Sequence, residues 1–262
     1  MSAETEAADL AEQVVIVTGA SRGIGKGLAL GLAARGAAVV CAARTDTETE
    51  APGGLPRSVQ GTAREITAAG GRALAVRCDI GIEADLVGLV DRTVEVFGRL
   101  DVLVNNAMAP TRGAVVDATT EMWDESMTTN VRSLFVICKL VLPHLRERGG
   151  SIINMSSGAA EHSSTPFLPP GYAIYATAKA AMERFTTAIA PEMAALDIAV
   201  NAIRPGAVKT EMTVHELGED YDWSGWATPD SVVPAVAYLA GQRGDGLTGQ
   251  VLESTQFGRR WP

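Results

Sequence analysis

Apolar positions along the chain follow two alternating rhythms. Short, nearly continuous apolar runs recur: VVIVTG (14–19), AAVVCAAR (37–44), ALAVRCD (73–79), LDVLVNNA (100–107), SIINMSS (151–157), IAVNAIRPG (198–206) and GQVLES (249–254). Such runs suit strands buried on both faces. Between them lie longer segments with the three-to-four spacing of amphipathic helices. These are GIGKGLALGLAARG (23–36), ended by Gly36, then ADLVGLVDRTVEVFG (84–98), a long pattern from about 121 to 148, another over 172–195, and DSVVPAVAYLAG (230–241). Strands alternating with helices predict a parallel sheet covered on both sides. Seven strands spread over 262 residues leave no room for a second domain. The expected fold is α/β: a single doubly wound domain, residues 1–262, with a central seven-stranded parallel sheet flanked by helices.

Two segments interrupt the rhythm. TDTETEAPGGLPRSVQGT (45–62) is rich in Thr, Glu, Pro and Gly and reads as a mobile loop inserted after the second strand. KTEMTVHELGEDYDWSGWATPD (209–230) is mixed in composition and is expected to form a lid over a substrate. Trp223 and Trp226 within it would either contact a hydrophobic substrate or pack the lid closed. Residues 1–12 are expected to be a mobile tail.

Charge and cysteines narrow the function classes. A formal net charge of −9 argues against nucleic acid or an anionic membrane as the main partner. The tail has no basic-then-apolar export signal, and no apolar run is long enough to span a bilayer, so a cytoplasmic protein is expected. Cys41, Cys78 and Cys138 are widely spaced and form no C-x-x-C pair, which suits reduced, space-filling thiols. His144, His162 and His215 have no metal-ligand spacing, and no metal is expected.

The first candidate chemistry is TGASRGIG (18–25), between the first strand and the first helix. Gly19, Gly23 and Gly25 permit close approach of a phosphate, and free N–H groups at the helix start would face it. In folds of this kind an acidic residue near the end of the second strand binds an unphosphorylated ribose, whereas an arginine suits a 2′-phosphate. Here the strand ends in Ala43 and Arg44 with no acid, and Arg22 sits in the glycine loop. The pair predicts NADP(H) in preference to NAD(H).

With TGASRGIG, NNA (105–107), Asn130, IINMSS, Tyr175-x3-Lys179 and RPG (204–206), the chain resembles the short-chain dehydrogenase/reductase family over nearly its whole length. The resemblance implies a Rossmann-like fold and a catalytic set of Asn130, Ser157, Tyr175 and Lys179. It places Gly19, Ser21, Arg22, Gly23 and Ile24 along the pyrophosphate and adenosine phosphate, and Asp79 and Ile80 at the adenine. Asn106 and Ala107 would lie along the ribose linkage, and Pro205, Gly206, Val208 and Thr210 would hold the nicotinamide. Ser157 is preferred over Ser156 because the family's serine stands three places beyond the strand asparagine, here Asn154. Strand alternation sends the two hydroxyls to opposite faces, with Ser156 the alternative. Three departures stand out: Met108 where the family has glycine, the longer EHSSTPFLPPG (161–171), and the insertion after Arg44. Members are usually tetramers, here through 121–148 and 172–195, although a dimer stays open.

Tyr172 and Tyr175 both lie near the helical face of Lys179, but at about 1.5 Å per residue Tyr175 is about 6 Å away along the axis and Tyr172 about 10 Å. An ammonium that close is expected to lower the tyrosine pKa and make Tyr175 a usable general acid and base. The expected reaction is NADPH-dependent reduction of a ketone or aldehyde, or oxidation of a secondary alcohol. A 3-oxoacyl-thioester reductase and a non-catalytic NADP(H)-sensing regulatory protein are the alternatives.

Overall fold

The structure, a computed structural model, describes residues 10–46, 49–50, 56–162, 168 and 170–262. Seven strands form one sheet: β1 (Val14–Thr18), β2 (Ala38–Ala43), β3 (Arg72–Arg77), β4 (Val102–Asn105), β5 (Gly150–Met155), β6 (Ile198–Arg204) and β7 (Val251–Glu253). Their order is β3-β2-β1-β4-β5-β6-β7, and every neighbouring pair is parallel. The chain first winds outward from β1 to β3, then crosses back to lay β4 against the other side of β1. Ligands of such sheets bind at that reversal, beyond the carboxyl ends of the strands.

Residue alternation divides the core between the two faces. Val15 and Val17 of β1 pack with Leu28 and Leu32 of α1 (Gly23–Ala33). Val14 and Ile16 join Leu86 and Leu89 of α3 (Glu83–Phe97) on the other face. Each successive side chain of a buried strand thus finds an apolar layer, which explains the unbroken hydrophobic runs. Between those helices lies α2 (Val59–Ala68), whose N-cap Ser58 accepts a hydrogen bond from the Gly61 N–H. The long pattern from 121 resolves into α4 (Thr120–Met127), a π turn (Thr128–Arg132) and α5 (Ser133–Leu145). It is followed by α6 (Ala173–Ala194), α7 (Glu211–Leu217) and α8 (Val233–Ala240).

Two expectations change and a third gains detail. The tail does not extend to residue 12, because Leu10 is fully buried and its N–H donates to the Arg35 carbonyl at 2.9 Å. Residues 45–62 are not one loop: Thr49–Glu50 pairs antiparallel with Pro56–Arg57, and Val59 already begins α2. The expected mobility there falls partly on residues 47–48 and 51–55, outside the described residues. The 209–230 segment is built around α7, started by a reciprocal cap in which Thr210 and Thr213 each bond the other's backbone N–H. Its aromatics pack on one another: Tyr221, Trp223 and Trp226 make edge contacts at centroid distances of 5.0, 5.8 and 5.1 Å. Of 161–171, residues 163–167 and 169 are outside the described residues. All three cysteines are buried and free.

Candidate active site

The carboxyl ends of β1 and β4 meet at the glycine loop. Thr18 Oγ1 accepts from the N–H groups of Asn106 and Ala107, both at 3.0 Å, while the Asn106 amide donates to the Thr18 carbonyl at 2.8 Å. Gly19 has φ +72°, and a Cβ there would come within 2.7 Å of the Asn106 amide. A Cβ on Gly25 would lie 2.2 Å from the Gly19 carbonyl oxygen. The glycines let the loop fold back on the first turn of α1. Ser21 and Arg22 line this loop half-buried, and Ile24 packs inward against the core.

The loop fits a phosphate-bearing cofactor on two observations. The Gly23 N–H donates at 3.0 Å to Oε2 of Glu211, a carboxylate from α7 that stands where an anion at this helix start would. Close by are Arg22 and, acting on it through like charge, Arg44 and Arg57. Burial and those two guanidiniums push the Arg22 pKa down, against the opposing pull of Glu211. Among the described residues no carboxylate forms an ion pair with any of the three. Three guanidiniums against the single nearby carboxylate of Glu211, which forms no ion pair with them, suit a bound polyanion.

The other expected cofactor residues flank this loop. The Asp79 carboxylate accepts from the Gly81 N–H at 3.0 Å and stabilises its own turn. Ile80, Ala107 and Asn130 line a small cleft with Thr18. Gly206 has φ +77°, the Pro205 carbonyl accepts from the Ser254 hydroxyl at 2.9 Å, and Val208 is buried, bridged to Ala227. Thr210 reaches the loop itself, its methyl 3.4 Å from where a Gly23 Cβ would stand. Met108 is half-buried just past β4.

Of the four expected catalytic residues, Ser157 follows β5, Tyr175 and Lys179 share α6, and Asn130 lies in the π turn. The Ser157 hydroxyl stands close enough to the Tyr175 phenol to lower its pKa, and it accepts from the Ala159 N–H at 3.2 Å. Ser156 points elsewhere and donates to Glu183 at 2.6 Å, within a pair that Arg204 completes with two bonds of 2.7 and 2.8 Å. Lys179 is 2% exposed; its Nζ donates to the Met155 carbonyl at 2.6 Å and lies 5.9 Å from the Tyr175 ring centroid. Asn130 sits in the π turn, and its amide both accepts from the Ala109 N–H and donates to the Ala109 carbonyl, each at 3.0 Å. It holds the chain leaving β4 against the helix. Tyr172 precedes α6, its ring 6.3 Å from that of Tyr175 at 82°.

The electrostatics reverse one expectation. The Tyr175 pKa is raised, because burial outweighs the hydrogen bond from Ser157 and the nearby positive charge of Arg112, and Glu216 raises it further. Burial pulls the Lys179 pKa down from 10.5 to about 8, only partly countered by Glu183, so the lysine loses its charge before the phenol ionises. Helical spacing alone cannot register that the ammonium is buried and turned to a carbonyl. At neutral pH the phenol therefore keeps its proton.

A profile for short chain dehydrogenases matches residues 13–220. The chain belongs to the short-chain dehydrogenase family. It is 34% identical to the hydroxynaphthalene reductase-like protein Arp2 of Metarhizium brunneum, over 96% of each chain. It is 35% identical to the short-chain reductase protein NovJ of Streptomyces niveus, over 95% of each. Among solved structures, a short chain dehydrogenase from Burkholderia cenocepacia in complex with NADP is similar with a TM-score of 0.78 and 31% identity, over 94% of this chain and 97% of that one. The short-chain dehydrogenase fold and its relatives make this chain an NAD(P)-dependent oxidoreductase.

Sequence reasoning missed three contributors to the site. Arg112, from the segment after β4, stacks 4.0 Å above the Tyr172 ring and pairs at 3.0 Å with Glu216 of α7. Glu211 reaches the glycine loop across 188 residues of sequence. Arg57 is the third guanidinium. None carries a local motif, since each acts only through a neighbour distant along the chain.

Proposed function

We propose that this enzyme reduces a ketone or aldehyde with NADPH, or runs the reverse oxidation of a secondary alcohol, with Tyr175 as general acid and base. The observation that carries the reading is the Tyr175 phenol, under the influence of the Ser157 hydroxyl and with the buried Lys179 Nζ 5.9 Å from its ring centroid. The bound nicotinamide supplies or takes up the hydride. The glycine loop, Arg22 and Arg44 would hold its phosphates, and the 205–210 segment its ring end. Arg22 and Arg44, with no acid at the end of β2, support NADP(H) over NAD(H).

Ser157 donates to the substrate oxygen and fixes it beside Tyr175. In reduction the Tyr175 O–H passes its proton to that oxygen as the carbonyl carbon gains hydride. Lys179 then resupplies the proton: its pKa of about 8 makes the ammonium a loosely held source near neutral pH. Asn130 positions the segment that shapes this pocket. A phenol whose pKa is raised favours the acid role, which agrees with relatives named as reductases. The same reading takes α5 and α6 as the self-association face of a homotetramer, where Phe135 stays 56% exposed against Phe185.

Tyr175→Phe tests the assignment. Turnover in a panel of ketones with NADPH should fall by about 10²-fold or more, the usual scale of a lost general acid, while NADPH binding stays near wild type. Turnover like the wild type would remove Tyr175 from the chemistry.

A further inference from the structure

The insertion after β2 delivers a side chain to the cofactor end of the site. Its last residues are anchored from two directions. Thr62 Oγ1 donates to the Ala20 carbonyl in the glycine loop at 2.8 Å, and the Val59 N–H donates to the Thr45 carbonyl at 3.1 Å. The Gln60 amide adds a bond to Asp46 at 3.1 Å. The start of α2 is therefore fixed to both the glycine loop and the end of β2. Arg57 stands two residues before that helix, on the short strand paired with Thr49–Glu50.

Three features set Arg57 apart from a surface cation. Its Nε is buried and has no hydrogen-bond partner among the described residues. It is the strongest like-charge influence on Arg22, ahead of Arg44. None of the three guanidiniums has an ion-pair partner among the described residues. Holding like charges together costs free energy unless an anion offsets it, and a planar guanidinium fork suits a phosphate oxygen pair.

We propose that Arg57 is a third ligand of the phosphomonoester on the adenosine ribose and a determinant of the enzyme's preference for the phosphorylated cofactor. The proposal rests on the NADP(H) reading above. It gives the insertion a role: it carries a charge that neither the glycine loop nor β2 supplies.

Equilibrium titration of the full chain with adenosine 2′,5′-bisphosphate and with adenosine 5′-monophosphate separates the possibilities. Arg57→Gln should weaken bisphosphate binding on the order of tenfold, as expected for one charge-assisted hydrogen bond, and leave the monophosphate unchanged. Arg57→Lys, which keeps the charge and loses the fork, should recover part of that loss. In turnover, Arg57→Gln should raise the KM for NADPH with kcat and the KM for NADH unchanged. Wild-type bisphosphate affinity in Arg57→Gln, alongside a loss in Arg44→Gln, would overturn the role of Arg57 and leave the NADP(H) reading standing. A wild-type enzyme that binds both probes equally would overturn that reading itself. If Arg57→Gln does not fold, Arg57→Lys decides: bisphosphate affinity equal to wild type overturns the forked contact.

Discussion

Lys179→Met exposes the free energy stored in the buried ammonium. The lysine is 2% exposed, and its pKa falls from 10.5 to about 8. The charged form is the disfavoured one, so the folded chain binds this proton less tightly than the unfolded chain. The penalty is complete below pH 8 and is relieved as the pH rises towards 10.5. At about 1.4 kcal/mol per unit it amounts to about 3 kcal/mol at pH 7. Methionine matches the volume but leaves the Met155 carbonyl without its donor, at a cost of about 1 kcal/mol. The variant should therefore be more stable than wild type by about 2 kcal/mol at pH 7, while losing turnover. Between pH 7 and 9.5 that advantage should shrink by about 2 kcal/mol. Other titrating groups are shared and cancel in the difference. Urea unfolding of both proteins at the two pH values measures it. A gap that stays constant, or widens, with rising pH would refute a buried, depressed lysine.

Three further substitutions probe α7 and the residue it pairs with. Glu211→Gln removes the carboxylate that occupies the Gly23 N–H, so NADPH should bind about two- to fivefold tighter, the scale of one charge at a helix N-terminus; weaker binding in a fluorescence titration would show that Glu211 assists the cofactor instead. Arg112→Gln removes a positive charge that lowers the Tyr175 pKa, so the rising limb of alcohol oxidation, where the phenol loses its proton, should move to higher pH. Glu216→Gln should move it the other way, and a common direction for the two variants would contradict their opposite charges.

The repeated alternation of short apolar runs with amphipathic segments made the fold legible, because a strand buried on both faces leaves little room for polar residues. β1 shows this directly: four consecutive buried residues, Val14 to Val17, serve two opposite cores in turn. The glycine loop was legible for a similar local reason, since only glycine tolerates both φ +72° at position 19 and the contact at position 25. The Tyr175–Lys179 spacing survives intact, but its electrostatic consequence does not, because burial is a property of the surroundings of a helix and not of its periodicity.

The sequence by itself determined the parallel sheet, the glycine turn and the family to which this enzyme belongs, all of which are written in patterns local to the chain or repeated along it. Tertiary structure alone showed what engages the other serine, with Ser156 drawn to the Glu183–Arg204 pair. It alone brought Arg57 beside Arg22, Arg112 over Tyr172 and Glu211 onto Gly23. Charges act through space and solvent exposure, and both are set only when distant segments pack together.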